Sequence, residues 1–254
     1  MTKILTWNLR HGGGSRRMPE ITLTLLEHAA DIVVLTEWRK ATGGQISGVL
    51  ADHGLRHQHS TNPPPGCNGV LVASRHPVVV RDENLEGLFA ATKAAGSTGL
   101  ATHKKARNRR LIEAEVPHLG MTVIGVHVPP DGPGTGREAV FQAAVASARN
   151  RREEGCVLIG DLNAGRHYLD ETGATFTCTR LMGELATLGY VDAWRAEHAE
   201  KREFSWFSHE GEGFRIDHAL VSRALSHRVR SCWYSHSERE RNLSDHSVMV
   251  LDLE

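Results

Sequence analysis

The chain is organised around the stretch Cys156-Val157-Leu158-Ile159-Gly160-Asp161-Leu162-Asn163. Its four apolar residues are typical of a buried central strand, and Gly160 marks the point where the backbone leaves the sheet. Asp161 and Asn163 would then stand at the carboxyl end of a strand, where open α/β folds place their ligand-binding groups. A strand followed by an Asx-turn, in which Asp and Asn cap their own backbone, explains these residues equally well.

Composition limits the class of protein. The 254 residues are 40% hydrophobic and contain no long linker, so we expect a single domain spanning residues 1–254. Lys plus Arg and Asp plus Glu number 30 each, and any attraction to a polyanion must therefore be local. No heptad pattern or broad apolar stripe is visible, which favours a monomer.

The four cysteines, Cys67, Cys156, Cys178 and Cys232, are scattered and show no CxxC spacing. This pattern indicates free thiols in a reducing compartment rather than a disulfide framework. The N-terminal apolar run is too short for a signal peptide, and no run reaches membrane length. We therefore expect a cytoplasmic protein without membrane contact.

Two strand–helix–strand units place polar residues at strand ends. In the first unit, a strand at 3–9 ends near Asn8, a helix covers 19–30, and a strand at 31–36 ends at Glu37. Parallel strands joined in this way end at the same edge of a sheet, so Asn8 should lie beside Glu37.

The second unit repeats this arrangement. A strand at 121–128 carries His127 near its end, and a helix at 137–152 leads to the strand before Asp161. His127 and Asp161 should therefore share an edge, although a lone histidine is more often structural than catalytic.

Several further elements follow from apolar patterning. We predict helices at 45–52 and 181–188, an antiparallel strand pair at 69–74 and 78–80, a second pair at 111–116 and 121–128, and a hairpin of 204–207 with 214–222. Asp217 interrupts the half-buried run of this hairpin and needs a polar partner. His246, just before a final strand at 247–253, is the candidate.

The segment 103–110, His-Lys-Lys-Ala-Arg-Asn-Arg-Arg, is the densest basic cluster. A solvated loop explains it as well as a surface that follows a phosphodiester backbone.

Eight residues in this order resemble the motifs of the endonuclease/exonuclease/phosphatase superfamily: Asn8, Glu37, His127, Asp161 with Asn163, Asp217 and Asp245-His246. The resemblance spans nearly the whole chain. It implies an α/β four-layer sandwich, in which two mixed, mainly antiparallel β-sheets pack face to face with helices on the outside. The C-terminal half most resembles the exonuclease III and abasic-site endonuclease branch, through the stretches 189–195, 204–206 and 213–217.

Two departures weaken the resemblance to the abasic-site enzymes. The connection from Trp206 to Gly213 is short where that branch has a longer loop, and His127 stands where that branch usually has Tyr. The resemblance therefore implies phosphoester cleavage rather than a specificity for abasic sites.

The resemblance also implies roles for these residues. Glu37, Asn8 and Asp245 would bind Mg²⁺ or Mn²⁺, for which oxygen ligands are suited. Asp161 would orient and deprotonate the attacking water, and Asn163 would hold a phosphate oxygen. His246, charged through Asp217, would stabilise the transition state, with His127 near the phosphate or the leaving group. We expect substrate contacts from Arg10, Arg107, Arg109, Arg110 and Trp206.

Three functions are compatible with these residues. A metal-dependent DNA nuclease, cleaving internally or from an end, agrees with the exonuclease III-like half and the basic segment. A phosphatase or phosphodiesterase acting on a small phosphorylated molecule or lipid headgroup agrees with the balanced charge. A non-catalytic nucleic-acid-binding module would keep the fold without the chemistry, but every expected catalytic position carries a competent residue.

Overall fold

The computed structural model describes residues 1–80 and 110–254 and consists of two six-stranded sheets with helices around them. The first sheet contains, in spatial order, β13 (Val229–Ser235), β14 (Val248–Leu253), β1 (Thr2–Asn8), β2 (Ile32–Trp38), β4 (Gly69–Ser74) and β3 (His57–Ser60). The second contains β5 (Val79–Val80), β6 (Leu111–Val116), β7 (Met121–His127), β8 (Cys156–Asp161), β12 (Asp217–Val221) and β9 (Val191–Asp192). A separate two-stranded ribbon joins β10 (Trp206–Phe207) to β11 (Gly213–Phe214).

Helices connect these strands. They are α1 (Met18–Glu27), α2 (Lys40–Asp52), α3 (Arg137–Asn150), α4 (Thr179–Thr187) and the short α5 (Ala193–Glu197), α6 (Arg223–Ser226) and α7 (Ser237–Glu240). Strands β1 and β2, and strands β7 and β8, are parallel neighbours, as the two predicted strand–helix–strand units require. The other pairings in the two six-stranded sheets are antiparallel.

Three apolar clusters define the layers. One cluster lies between the sheets and includes Ile4 and Val157; a second joins the first sheet to α1 and α2; a third joins the second sheet to α3 and α4. Both faces of the central strands are thus covered, and neighbouring residues such as Ile4 and Leu5 belong to different clusters. This explains the continuous apolar runs in the sequence and confirms the predicted four-layer sandwich.

Two predicted strand pairings are wrong. Strands β4 and β5 do not pair, because β4 already has β2 and β3 as neighbours and the His76-Pro77 turn carries the chain into the second sheet. The hairpin of 204–207 with 214–222 is restricted to β10 and β11. Beyond it, the Arg215 guanidinium is buried against Asp170 and Asp192, and β12 leaves the ribbon to pair with β8.

Helix ends differ from the sequence prediction mainly in α2. It begins at Lys40 rather than at residue 45, although Gly43 and Gly44 lie in its first half. Gly43 is needed there because a Cβ at this position would lie 2.0 Å from Nε1 of Trp38. Within the two described segments, no helix combines the length and apolar character needed to cross a bilayer.

Gly160 permits the close contact between β7 and β8. Its φ is +142°, and an added Cβ would lie 2.0 Å from the carbonyl oxygen of Val126. A side chain at this position would force the two central strands apart immediately before Asp161.

We therefore expect Gly160→Ala to lower the free energy of unfolding by about 3 kcal/mol, from backbone strain together with the clash. Gly183→Ala is the matched control, since Gly183 lies exposed in α4 and its added Cβ would meet no atom within 4 Å. That change should stabilise the helix by roughly 0.5–1 kcal/mol. Urea unfolding followed by circular dichroism measures both values, and a Gly160→Ala variant as stable as the parent would contradict the argument.

Candidate active site

Strand register brings three of the predicted site residues into one row of the second sheet. His127 at the end of β7 pairs with Asp161 at the end of the parallel strand β8, and Asp161 pairs with Asp217 at the start of antiparallel β12. All three residues are buried. Because paired residues on neighbouring strands place their side chains on the same face, the three side chains are held together despite wide separation in sequence.

The first sheet adds two residues to this row. Asn8 ends β1 and donates a hydrogen bond from Nδ2 to Oδ2 of Asp161 at 2.9 Å. His246 immediately precedes the segment that leads into β14, and its backbone carbonyl accepts a hydrogen bond from Nε1 of Trp7 at 3.0 Å. The site therefore lies where the strand ends of the two sheets meet.

Asp161 is buried, and both of its carboxylate oxygens accept hydrogen bonds. The backbone N–H of Asn163 donates to Oδ1 at 2.8 Å, and the Asn163 side chain donates to Oδ2 at 3.1 Å. Burial raises the pKa of Asp161 to about 7, against the lowering effects of the nearby His246 charge and of the Asn163 and Asn8 hydrogen bonds. Asp161 can therefore exchange a proton near neutral pH.

Asn163 uses both protons of its side-chain amide within the protein. One goes to Asp161, and the other to the carbonyl oxygen of Val128 at 2.9 Å. Its backbone is left-handed, with φ of +46°, a conformation that asparagine adopts more readily than most residues. The geometry thus makes Asn163 a support for Asp161, while its predicted contact with a phosphate oxygen stays a prediction.

Asp217 and His246 form the predicted pair, and they do so across the gap between the two sheets. Nδ1 of His246 lies 2.9 Å from Oδ2 of Asp217. Burial by itself lowers the pKa of His246, but the charge and hydrogen bond of Asp217, together with the charge of Asp161, raise it to about 10. The ring is therefore an imidazolium at neutral pH, with Nδ1–H bound to Asp217 and Nε2–H left to act as a donor.

His127 is held in the opposite protonation state. Burial, followed by the nearby charge of Arg110, keeps the pKa of His127 well below 6.5. An Arg110 guanidinium nitrogen lies 2.6 Å from Nδ1, and since guanidinium only donates, Nδ1 must accept and Nε2 carries the proton. This Nε2 lies 3.7 Å from Oδ2 of Asp161 and 3.8 Å from Oε1 of Glu37.

Glu37 is directed into the site by a β-bulge. Thr36 and Trp38 pair with consecutive residues of β4, which leaves Glu37 as the extra residue, with φ of +52°. Its Oε2 accepts the backbone N–H of His11 at 2.6 Å. Its Oε1 makes no hydrogen bond within the described part of the chain.

Asp245 stands at the more open side of the site. Its Oδ2 lies 3.3 Å from Nε1 of Trp206 and 3.7 Å from Nε of Arg10. The backbones of Trp206 and His246 form an isolated antiparallel β-bridge, and the centroids of their rings are 6.5 Å apart. Arg10 and Trp206 therefore border the site, and their predicted contacts with substrate stay predictions.

Only the last residue of the basic segment, Arg110, lies among the residues that the structure describes. Arg107 and Arg109 lie outside the described residues, so their predicted contacts with DNA stay predictions. Arg110 is described, and its guanidinium is directed at His127. Its position thus links the end of the basic segment to the site itself.

Three residues near Glu37 were not predicted from the sequence. Nδ1 of His11 lies 2.9 Å from Oε2 of Glu37, Asn68 contacts His11 at 3.3 Å, and Nε of Arg39 donates to Asn68 at 2.6 Å. The available signal was the triplet Gly12-Gly13-Gly14, because residues 10–14 all have positive φ and glycine tolerates that conformation. Ser205 and Tyr234, which bind the backbone of Asp217, left no such signal.

The residues predicted to bind a metal fit a hard divalent cation. Glu37 offers a carboxylate oxygen without a hydrogen bond among the described residues, and Asp245 is partly exposed. Oδ1 of Asn8 accepts the Arg10 N–H at 2.9 Å and keeps a second lone pair. All three supply oxygen atoms, which Mg²⁺ and Mn²⁺ prefer.

A second group of possible ligands fits a cation less well. Ligand atoms of Asp161, Asp217 and His246 all lie within 4.8 Å of one another. However, the imidazolium of His246 repels a cation, and its Nδ1 and the carboxylate of Asp217 already bind each other. The buried side chains of Asp161, Asp217 and His246 are therefore better suited to binding protons than to binding a metal ion.

Solved structures with the same fold include nucleases and a 3' phosphatase. They include a 3' phosphatase, NExo, from Neisseria bound to a product DNA hairpin (24% identity, TM-score 0.77), and the 3'-5' exonuclease NExo from Neisseria meningitidis (25% identity, TM-score 0.77). An AP endonuclease from Archaeoglobus fulgidus is also similar (22% identity, TM-score 0.78). Each comparison covers 100% of this chain and 100% of the other.

No curated protein matches the chain in sequence. By contrast, the profile of the Endonuclease/Exonuclease/phosphatase family matches residues 5–246. The matched region extends from the first strand to His246 and includes every residue of the site just described. The chain therefore belongs to the Endonuclease/Exonuclease/phosphatase family and is a hydrolase of phosphoester bonds.

Proposed function

We propose that this protein is a divalent-metal-dependent nuclease that hydrolyses phosphodiester bonds in DNA. The observation that carries the proposal is the meeting of Asn8, His127, Asp161 and the Asp217–His246 pair at the strand ends of both sheets. These groups include one proton acceptor and one fixed positive charge, which hydrolysis of a phosphodiester needs. DNA as the substrate is further supported by the solved relatives, among them NExo with its product DNA hairpin and the AP endonuclease.

Asp161 would act as the general base. Hydrogen bonds from Asn8 and Asn163 fix its orientation, and its pKa of about 7 lets it accept a proton from the attacking water. As the new P–O bond forms, the bond to the leaving oxygen breaks. A Mg²⁺ or Mn²⁺ ion held by Glu37, Asn8 and Asp245 would supply neutralisation of the phosphate charge.

The two histidines would act in different protonation states. His246, charged at neutral pH, would donate Nε2–H to a phosphate oxygen and stabilise the negative charge of the transition state. His127, neutral, would present Nε2–H to the phosphate or the leaving oxygen. Arg10 and Trp206 would contact the neighbouring part of the substrate.

A phosphatase or phosphodiesterase acting on a small phosphorylated molecule or lipid headgroup is the second candidate. The net charge of zero favours it, as does the engagement of Arg110 with His127 instead of an open surface. A non-catalytic binding module is disfavoured because residues able to take each proposed role, Asp161, His246 and Glu37, are present at the site.

Asp161→Asn should lower Mg²⁺-dependent cleavage of DNA by about 10²- to 10⁴-fold, because the proton acceptor is lost while side-chain size is kept. The assay uses a labelled duplex, the same duplex with one abasic site, and an oligonucleotide ending in a 3' phosphate. Asp52→Asn, an exposed carboxylate at the end of α2, is the matched control and should retain full activity. Equal rates for Asp161→Asn and the parent would eliminate the assigned role.

Salt dependence separates the two candidate substrates. A DNA substrate contacted at several phosphates should show kcat/KM falling steeply with NaCl, with a slope of about −0.9 per contacted phosphate on a double-logarithmic plot. A small phosphodiester should show almost no slope. The measurement compares the duplex with bis-p-nitrophenyl phosphate between about 50 and 200 mM NaCl, where binding to several phosphates changes strongly with salt. A flat dependence for the duplex would favour the second candidate.

Asp217→Asn should return the pKa of His246 from about 10 toward or below 6.5 and lower turnover at pH 8 by roughly 10²- to 10⁴-fold. Since the folded-state pKa of His246 is raised, the stability contributed by the pair is present below pH 6.5 and is lost as pH rises through about 10. Imidazole ¹⁵N shifts of His246 measure the titration, and unfolding at pH 6 and 10 measures the linkage. A ring that deprotonates near pH 6.5 in the unmodified protein would refute the assignment.

A further inference from the structure

Arg137, the first residue of α3, is buried but makes no ion pair within residues 1–80 and 110–254. Its guanidinium instead donates to three backbone carbonyls. One nitrogen reaches Pro129 at 3.1 Å, and another reaches Asn163 at 2.5 Å and Thr177 at 3.4 Å. Burying a cation costs free energy, and neutral carbonyls offset that cost less than a carboxylate would. An arginine kept in such a place therefore indicates that its hydrogen bonds hold the three carbonyl groups in a defined geometry.

The three carbonyls belong to the loops that carry the site. Pro129 lies two residues after His127 in the loop that follows β7, and Asn163 lies two residues after Asp161 in the loop that follows β8. Thr177 lies at the far end of that second loop, just before α4. The guanidinium therefore ties both loops to the start of one helix.

The Asn163 carbonyl is the most important of these contacts. Asn163 holds Asp161 through its backbone N–H and its side chain, and it binds Val128 through the second proton of that side chain. Its left-handed backbone costs some free energy even for asparagine, which tolerates this conformation better than most residues, so outside contacts help to keep it. Arg137 supplies such a contact through the Asn163 carbonyl oxygen.

We propose that Arg137 is a positioning residue, which holds the Asn163 peptide and, through it, the carboxylate of Asp161 in the geometry for proton abstraction. The inference rests on the proposed function in that it takes Asp161 to be the base. Arg137 itself touches no reacting atom. Its loss acts by misplacing Asp161, and displacements of about 1 Å can cost about 10²-fold in rate.

Helix α3 also has apolar contacts that do not involve Arg137. Helix α3 is packed through Val140, Phe141, Ala144 and Val145, which belong to the apolar cluster against the second sheet. Replacement of Arg137 should therefore leave α3 in place and release mainly the two loops.

The test compares Arg137→Gln and Arg137→Lys with Arg149→Gln. Arg149 lies at the other end of α3 and pairs with Glu184 of α4, so its replacement removes an arginine contact of the same helix away from the site. For Arg137→Gln we expect kcat on the DNA duplex to fall about 10²-fold with KM unchanged. Arg137→Lys should recover part of the loss, and Arg149→Gln should retain the parent kcat.

Amide hydrogen exchange gives a readout that does not need activity. In Arg137→Gln the Asn163 amide should exchange faster, while amides of β1 and β2 stay as protected as in the parent. If the parent protein hydrolyses no phosphoester, the proposed function is rejected. The exchange rates would still test whether Arg137 holds the Asn163 peptide in place. Unchanged exchange at Asn163, a change confined to KM, or an equal loss of kcat in Arg149→Gln would overturn the inference.

Discussion

A carboxylate held away from water at the junction of two sheets is the constraint on which the rest of the site depends. Asp161 is buried and retains an acidic proton to higher pH than a solvated carboxylate, because burial disfavours its charged form. Its oxygens must be satisfied by donors, and these come from Asn8 in one sheet and Asn163 in the following loop. Asp161 thus links the two sheets through Asn8, while its burial keeps its pKa near neutral despite the hydrogen bonds that lower it.

The groups around Asp161 shift the pKa values of the two histidines of the site in opposite directions. Asp217 raises the pKa of His246, whereas burial and Arg110 lower the pKa of His127. Two imidazoles in one pocket therefore differ in protonation, one fixed as a donor with positive charge and one neutral. Environments that push pKa values apart in this way assign different proton-transfer roles to similar side chains.

Other buried ions support the site from outside it. Arg215 is fully buried and binds Asp170 at 2.7 Å and Asp192 at 2.6 Å, which holds the chain where it leaves the short ribbon. Two residues later Asp217 begins β12 in register with Asp161. A buried network of this kind is weak evidence of net stability, and here its consequence is the fixed course of the chain into β12.

Local patterns by themselves determined the strands that end at Asn8, Glu37, His127 and Asp161, since an apolar run followed by a polar residue is a property of neighbouring residues. The order of these motifs was enough to indicate the family and the four-layer fold. The sequence also paired Asp217 with His246, because a carboxylate in a half-buried run requires a partner. Only the tertiary structure decided the sheet to which β5 belongs, the contact of Arg110 with His127, and the anchoring of Asn163 by Arg137. The first and the last depend on which strand edges and backbone carbonyls are left free once the sheets have packed, and contacts with backbone groups leave no mark in the residue types of the chain. The Arg110–His127 contact joins two side chains that are brought together by the pairing of β6 with β7.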